Sequence, residues 1–131
     1  MAFTEKSARW RKRHPEQAKQ AARDHWARMS PERKELEHRK TVLRRYGLTI
    51  ADFERMEREQ DGLCAICLKP PTKPSSWGTR PRLVVDHNHT KGKKAVRQLL
   101  CVCCNLLVGY CGESTETLQR ASDYLRRHGK A

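Results

Sequence analysis

Six cysteines, six histidines and one Asp-His-Asn-His run are the residues best equipped for chemistry in this chain. Cys64-Ala-Ile-Cys67 and Cys101-Val-Cys103-Cys104 are two C-x-x-C knuckles. Asp86-His87-Asn88-His89 lies between them, and Asn105 follows directly on the second. Zinc favours four thiolates in a closed tetrahedral site, and two knuckles supply two ligands each. Spacing therefore assigns Cys64, Cys67, Cys101 and Cys104 to one structural zinc ion, with Cys103 in place of Cys104 as the rival pairing. The gap between the knuckles exceeds that of a simple zinc ribbon, which leaves room for a loop and a hairpin. Cys103 and Cys111 are then surplus and are expected to behave as small buried hydrophobes. His87 and His89 stand too close together for the histidine half of a classical finger. With sulfur satisfying the metal, a carboxylate, two imidazoles and an amide remain for other work.

Bulk properties narrow what that work acts on. The 131 residues hold 28 Lys and Arg against 15 Asp and Glu, a formal net charge of +13. Such a balance points to a polyanion, nucleic acid ahead of an anionic membrane surface. No run of about 18 apolar residues is present to span a bilayer, and the first residues lack the apolar stretch of a signal peptide. An intracellular, cytoplasmic location is expected, where paired knuckles read as a zinc site rather than as disulfides. A redox role for the C-x-x-C thiols would call for a thioredoxin-like βαβ pattern, which is not found.

The elements that must position these groups are legible in part. Residues 1–45 form a charged, apolar-poor arm with 14 Lys and Arg against 6 Asp and Glu. Within it a Trp-x4-Pro-Glu unit recurs with a period of sixteen, from Trp10 to Pro15-Glu16 and from Trp26 to Pro31-Glu32. Proline suits the first helical position and an acid suits the helix N-terminus, so the repeat reads as helix, turn, helix. Ser30 is a good N-cap and His14 a poorer one. The arm is read either as a grip on phosphates or as a solvated helical face, with Trp10 and Trp26 more often core anchors than nucleic-acid contacts. Thr49 to Asp52 resembles a capping box opening a helix to about Gln60, with Ile50, Phe53 and Met56 on one face and Gly62 as terminator. Residues 69–81 are rich in Pro, Ser and Gly and form a loop in which Trp77 is expected to fold back over the core. Residues 82–86 and 95–99 read as a hairpin around the turn at 90–93. A short helix with Leu106, Leu107 and Val108 packed on that hairpin follows, and a last helix from about Ser114 to His128 stops at Gly129.

Taken together, Tyr46-Gly47-Leu48-Thr49, the first knuckle, Val85 to His89, and Val96-Arg97-Gln98-Leu99-Leu100-Cys101 through Cys104-Asn105 resemble the phage recombination endonuclease VII family, within the His-Me finger (HNH) nucleases. The resemblance covers roughly Tyr46 to Leu125. It implies an α+β fold: a small zinc-stapled ββα-metal nuclease core over residues 46–131, preceded by the basic helical arm and finished by a C-terminal helix. It further implies a DNA endonuclease, with Asp86 and Asn105 holding one catalytic Mg²⁺ (Mn²⁺ as substitute), His87 as general base and His89 on the scissile phosphate. DNA is the implied partner, and a phage-encoded chain would act in the bacterial host cytoplasm. Two positions depart from the family pattern: Gln98 stands where glycine is common, and Val108 where some members carry a further acid, so a third metal ligand is not expected. Junction-resolving relatives dimerise through a helical region after the nuclease core, and a homodimer has no support in the residues here. The competing reading is a non-catalytic zinc module that binds nucleic acid through its arm.

Overall fold

The computed structural model describes residues 5–75 and 78–129; Trp77 lies outside the described residues. The chain divides into two compact units between His38 and Arg39, inside a helix.

The first unit is helical. α1 (Glu5–Arg13) and α2 (Pro15–Arg28) are followed by α3 (Pro31–Arg45), which runs on into the second unit. Pro15 and Pro31 both open helices, as the sixteen-residue repeat predicts. Ser30 Oγ accepts from the Arg33 amide at 3.2 Å, whereas His14 makes no side-chain cap bond. α2 buries no residue, and Trp10 and Trp26 are 45% and 43% exposed. The tryptophans are therefore not core anchors; Trp10 instead packs its ring against His14, 5.2 Å away.

The second unit owns the core. The end of α3 turns at Tyr46-Gly47 into α4 (Ile50–Glu59), where Thr49 and Asp52 complete both halves of the capping box. Phe53 is 1% exposed, and Ile50 and Met56 flank it against the core cluster with Leu43, Leu83, Val85, Leu99 and Leu100. Burying a side chain of Phe53's size contributes about 3 kcal/mol. The Arg39 guanidinium lies 4.8 Å above its ring and joins the end of α3 to α4. Gly62, at φ +69°, ends α4 by returning its amide to the Glu57 carbonyl. Gln60 does something no local pattern announces. Its side-chain amide donates to the Leu99 carbonyl and accepts from the Leu99 amide, so one side chain pairs with a strand edge as another strand would.

β1 (Val84–His87) and β2 (Val96–Leu100) form a two-stranded antiparallel sheet. Val85 pairs with Leu99 but His87 pairs with Val96, so Arg97 and Gln98 together oppose Asp86. This bulge breaks the in-out alternation and leaves both Val85 and Asp86 buried. α5 (Val102–Tyr110) packs on both strands and α6 (Thr115–Arg127) follows, capped by Ser114. Leu106 and Leu107 are 45% and 50% exposed, contrary to the expectation that they cover the hairpin. The inward face of α5 is set by buried Cys104, and Leu106, two residues on, falls on the opposite side of a 3.6-residue turn.

Candidate active site and metal centre

The two knuckles come together within the second unit, with Cys67 and Cys101 thirty-four residues apart in the chain. Leu68 takes a left-handed backbone, with its amide on the Cys64 carbonyl, and the Cys64 amide donates to Lys69; these bonds curl the first knuckle around its sulfurs. In the second, Cys101 caps α5, its Sγ accepting from the Cys104 amide at 3.4 Å. The Ala65 amide donates to the Leu99 carbonyl and ties the first knuckle to β2, two residues ahead of Cys101.

The Sγ atoms of Cys64, Cys67, Cys101 and Cys104 all lie within 4.8 Å of one another, and the Cys67 and Cys101 sulfurs are 3.9 Å apart. A tetrahedron with about 2.3 Å metal–sulfur bonds has edges of about 3.8 Å, so the donor set fits zinc. Cys103 is exposed and outside this cluster, which removes the rival pairing and also the expectation that it is buried; Cys111 is half-buried, its thiol on the Val108 carbonyl. Four crowded sulfurs cannot all shed protons unaided. Burial opposes ionisation of Cys64, but backbone hydrogen bonds from Cys101, Cys67 and Ile66 hold it down at about 6. Burial first, then the neighbouring sulfurs, push Cys104 well above the usual thiol range. A divalent cation supplies the charge that lets all four be thiolates.

On the same hairpin a polar cluster surrounds the Asp-His-Asn-His run. Asp86 is 6% exposed, and Arg97 grips its carboxylate with two hydrogen bonds, Nε to Oδ2 at 2.6 Å and Nη2 to Oδ1 at 3.0 Å. The bulge makes this possible by setting two β2 residues against Asp86. Arg97 Nη2 also donates to Glu113 Oε1 at 2.7 Å, and the same oxygen lies 3.0 Å from His89 Nδ1. Hydrogen bonds to Asp86 first, and then to Glu113, hold Arg97 more firmly protonated than usual.

His87 closes β1. Its ring sits edge-on to His89 at 4.5 Å and tilted to Tyr46 at 5.4 Å. Burial, and then the neighbouring His89, push the His87 pKa below the usual imidazole value; Asp86 and Glu113 pull the other way. Asn88 serves geometry rather than chemistry. Its Oδ1 accepts from the Thr90 amide, the Thr90 hydroxyl and the Lys91 amide, while its backbone N–H donates to the Ala95 carbonyl, which fixes the turn carrying His89. Asn105 is half-buried in α5; among the described residues, no hydrogen bond joins its side chain to Asp86.

Asp86, His87 and His89 are thus drawn together, with Arg97 and Glu113 as companions. Reading the sequence missed Glu113 and the double role of Arg97. The absence of an acid at Val108 is real, but a carboxylate reaches the cluster from five residues later. Two carboxylates share one guanidinium, so with neutral histidines the cluster carries one formal negative charge. Asp86 keeps lone pairs beyond the two that Arg97 uses, and hard oxygens of this kind fit a divalent cation such as Mg²⁺.

Comparison with known proteins adds a family-level match. The model for recombination endonuclease VII matches residues 39–127. The Gene 59 protein of Mycobacterium phage D29 is 40% identical over 87 residues, 66% of this chain and 48% of that protein. The Gene 59 protein of Mycobacterium phage L5 is 35% identical over 85 residues, 64% and 47% of the two chains. The chain thus spans about half the length of these curated relatives. No solved structure matches it. Among the described residues no helix is long and apolar enough to cross a membrane.

Proposed function

The chain belongs to the recombination endonuclease VII family, and from that membership we propose that it is a metal-dependent DNA endonuclease of the ββα-metal type, stapled by zinc. The observation that carries this reading is the join of Asp86, His87 and His89 at the end of β1, with His87 kept below the ordinary imidazole value by burial. A lowered value leaves His87 neutral near pH 7, with a lone pair able to take a proton from the attacking water. Asp86 and Asn105 would hold the catalytic cation. When bound, Mg²⁺ supplies Lewis-acid charge for the phosphate and the leaving 3′ oxygen. His89 contacts and orients the scissile phosphate. Water attack with expulsion of the 3′ oxygen leaves 5′-phosphate and 3′-hydroxyl ends.

The basic arm over residues 1–45 supplies affinity. Its Lys and Arg residues contact phosphates and carry no sequence information, so binding is salt-sensitive. Lys40 and Arg44 line a cavity beside Gly47 and the start of α4. Lys94 runs along Gly47, which extends basic surface next to Tyr46 and His87. A phage-encoded chain with these properties works on DNA in the cytoplasm of a bacterial host.

Nicking of supercoiled plasmid tests the reading. The wild type is expected to nick with Mg²⁺ and not in chelator. His87→Ala is expected to lose activity by a factor of about 10² to 10⁴ with zinc content and DNA binding retained. Undiminished nicking by His87→Ala would remove His87 from the chemistry. One observation favours a non-catalytic zinc module instead: Arg97 already engages both Asp86 oxygens. A wild type that binds DNA and never nicks it would establish that alternative.

A further inference from the structure

The turn that joins α3 to α4 does more than reverse the chain. Gly47, at φ +72°, closes α3 with its amide on the Arg44 carbonyl, and the Leu48 amide bonds the Leu43 carbonyl. The last turns of α3 are thereby set beside the first turn of α4, and a cavity of about 580 Å³ is lined by both. Pockets that hold small organic groups span about 300–1,000 Å³. Lys40 and Arg44, four apart on α3, form one wall, and Leu48, Ile50 and Ala51 supply an apolar floor. Leu48 and Ile50 also pack against the core cluster, so the floor is anchored.

The charge around this cavity has one sign. Among the described residues that line it, none is acidic. Asp52, next in the chain, has its carboxylate on the Thr49 amide at 2.9 Å, the Thr49 hydroxyl at 2.8 Å and Arg55 at 3.2 Å. The start of α4 is capped from within, and the pull on an anion comes from the cations instead. Lys94 adds a third cation from the hairpin, its Cγ and Cδ 3.8 and 3.9 Å from where a Gly47 Cβ would stand. Val96, two residues after Lys94, is the strand partner of His87, and the Tyr46 ring lies 5.4 Å from that of His87. Cationic rim and proposed catalytic histidine are therefore neighbours. The other end of α4 differs, for there Glu54, Glu57 and Asp61 line a concavity with Arg58.

We propose that the cavity at the α3–α4 turn is a nucleotide subsite for the DNA strand that passes His87. Lys94, Arg44 and Lys40 hold a phosphate adjacent to the scissile one, and the floor takes the sugar and an unstacked base. A phosphate alone needs no apolar floor, and a paired base stays within its stack, so the floor suits an unpaired nucleotide. The subsite takes its purpose from the nuclease reading, but binding there does not require cleavage. It adds a selection that phosphate contacts by exposed lysines do not make.

Amide ¹H–¹⁵N spectra of the zinc-loaded full chain, without Mg²⁺, read this turn separately from the arm. Octathymidylate is expected to shift the amides of Gly47, Leu48, Ile50 and Ala51 and to leave Glu57 and Asp61 in place. A blunt duplex of the same length should shift the floor amides much less. Thymidine 5′-monophosphate should bind at the turn about tenfold tighter than inorganic phosphate, the difference being the floor. Lys94→Gln and Arg44→Gln should each weaken that binding about two- to fivefold. Ala51→Glu, whose acid suits a first helical turn, should abolish it with the melt unmoved. Should Ala51→Glu fail to fold, the two glutamine variants decide. The subsite is overturned by equal shifts from the duplex, by equal affinity for inorganic phosphate, or by no shift at the turn. Octaglutamate acting there as octathymidylate does would make it a surface for acidic protein and overturn it too. Octathymidylate bound at the turn of a wild type that never nicks with Mg²⁺ sinks the nuclease reading and keeps the subsite.

Discussion

In α2 no side chain is buried, whereas in the second unit Leu43, Leu83 and Leu99 reach zero exposure and Phe53 1%. Both regions are regular and both carry clear local signals, yet they are held by different physics. The first has helix starts at Pro15 and Pro31, acids in the first turns, and spaced pairs such as Lys19 with Glu16 at 2.9 Å and Gln20 with Asp24 at 2.9 Å. Such pairs contribute only about 0.2–0.5 kcal/mol each, and isolated helices of this length are marginal in water. The second adds a core and four sulfurs in metal-ligating geometry. Basic charge does not follow this divide: residues 1–38 hold 10 Lys and Arg against 6 Asp and Glu, and residues 39–131 hold 18 against 9. The unit from Arg39 onward, with its core and its four sulfurs, can hold a site of fixed geometry.

The largest effect that could break this comparison lies at the metal centre. Cys64→Ser should abolish cooperative unfolding of the second unit and its zinc content, since structural zinc contributes on the order of 10 kcal/mol to such modules. Circular dichroism should still report helix from the first unit. An unchanged melt with full zinc content would mean that the four sulfurs are not the staple. At the next level, Phe53→Ala should cost about 3–5 kcal/mol in denaturant unfolding, while Trp26→Ala stays within about 0.5 kcal/mol. Equal losses would show that the first unit has a core after all. The smallest change in stability, with a clear change in binding, is expected from replacing Lys19, Arg23 and Arg28 together by Gln. DNA affinity should fall, and the slope of log affinity against log salt should shrink by about one for each phosphate that the arm no longer neutralises, with the melt unmoved. An unaltered salt slope would take the arm out of DNA binding.

What could be read from the chain in advance was whatever depends on neighbours close in sequence. The C-x-x-C spacings, the Thr49-Asp52 box, the Ser30 cap and the hairpin around residues 90–93 each obey a local rule, and each recurs in the structure. The packing of Leu106 and Leu107 was misjudged because an apolar run does not reveal which helix face the neighbours claim. Asn105 was singled out by its place after Cys104, but its relation to Asp86 is a matter of side-chain geometry that adjacency does not settle.

By itself, then, the sequence determined the four clustered cysteines, the helix starts, the basic excess and the family, because residue type and short-range spacing are enough to state them. Only the tertiary structure decided which groups meet Asp86 and Glu113. Arg97 is eleven residues from Asp86 and sixteen from Glu113, and Gln60 reaches Leu99 across thirty-nine. Those contacts depend on a strand bulge and on a left-handed turn after α5. A bulge depends on how two strands align, and a left-handed glutamate persists only when its surroundings hold it there, so neither is a property of the residues taken in order.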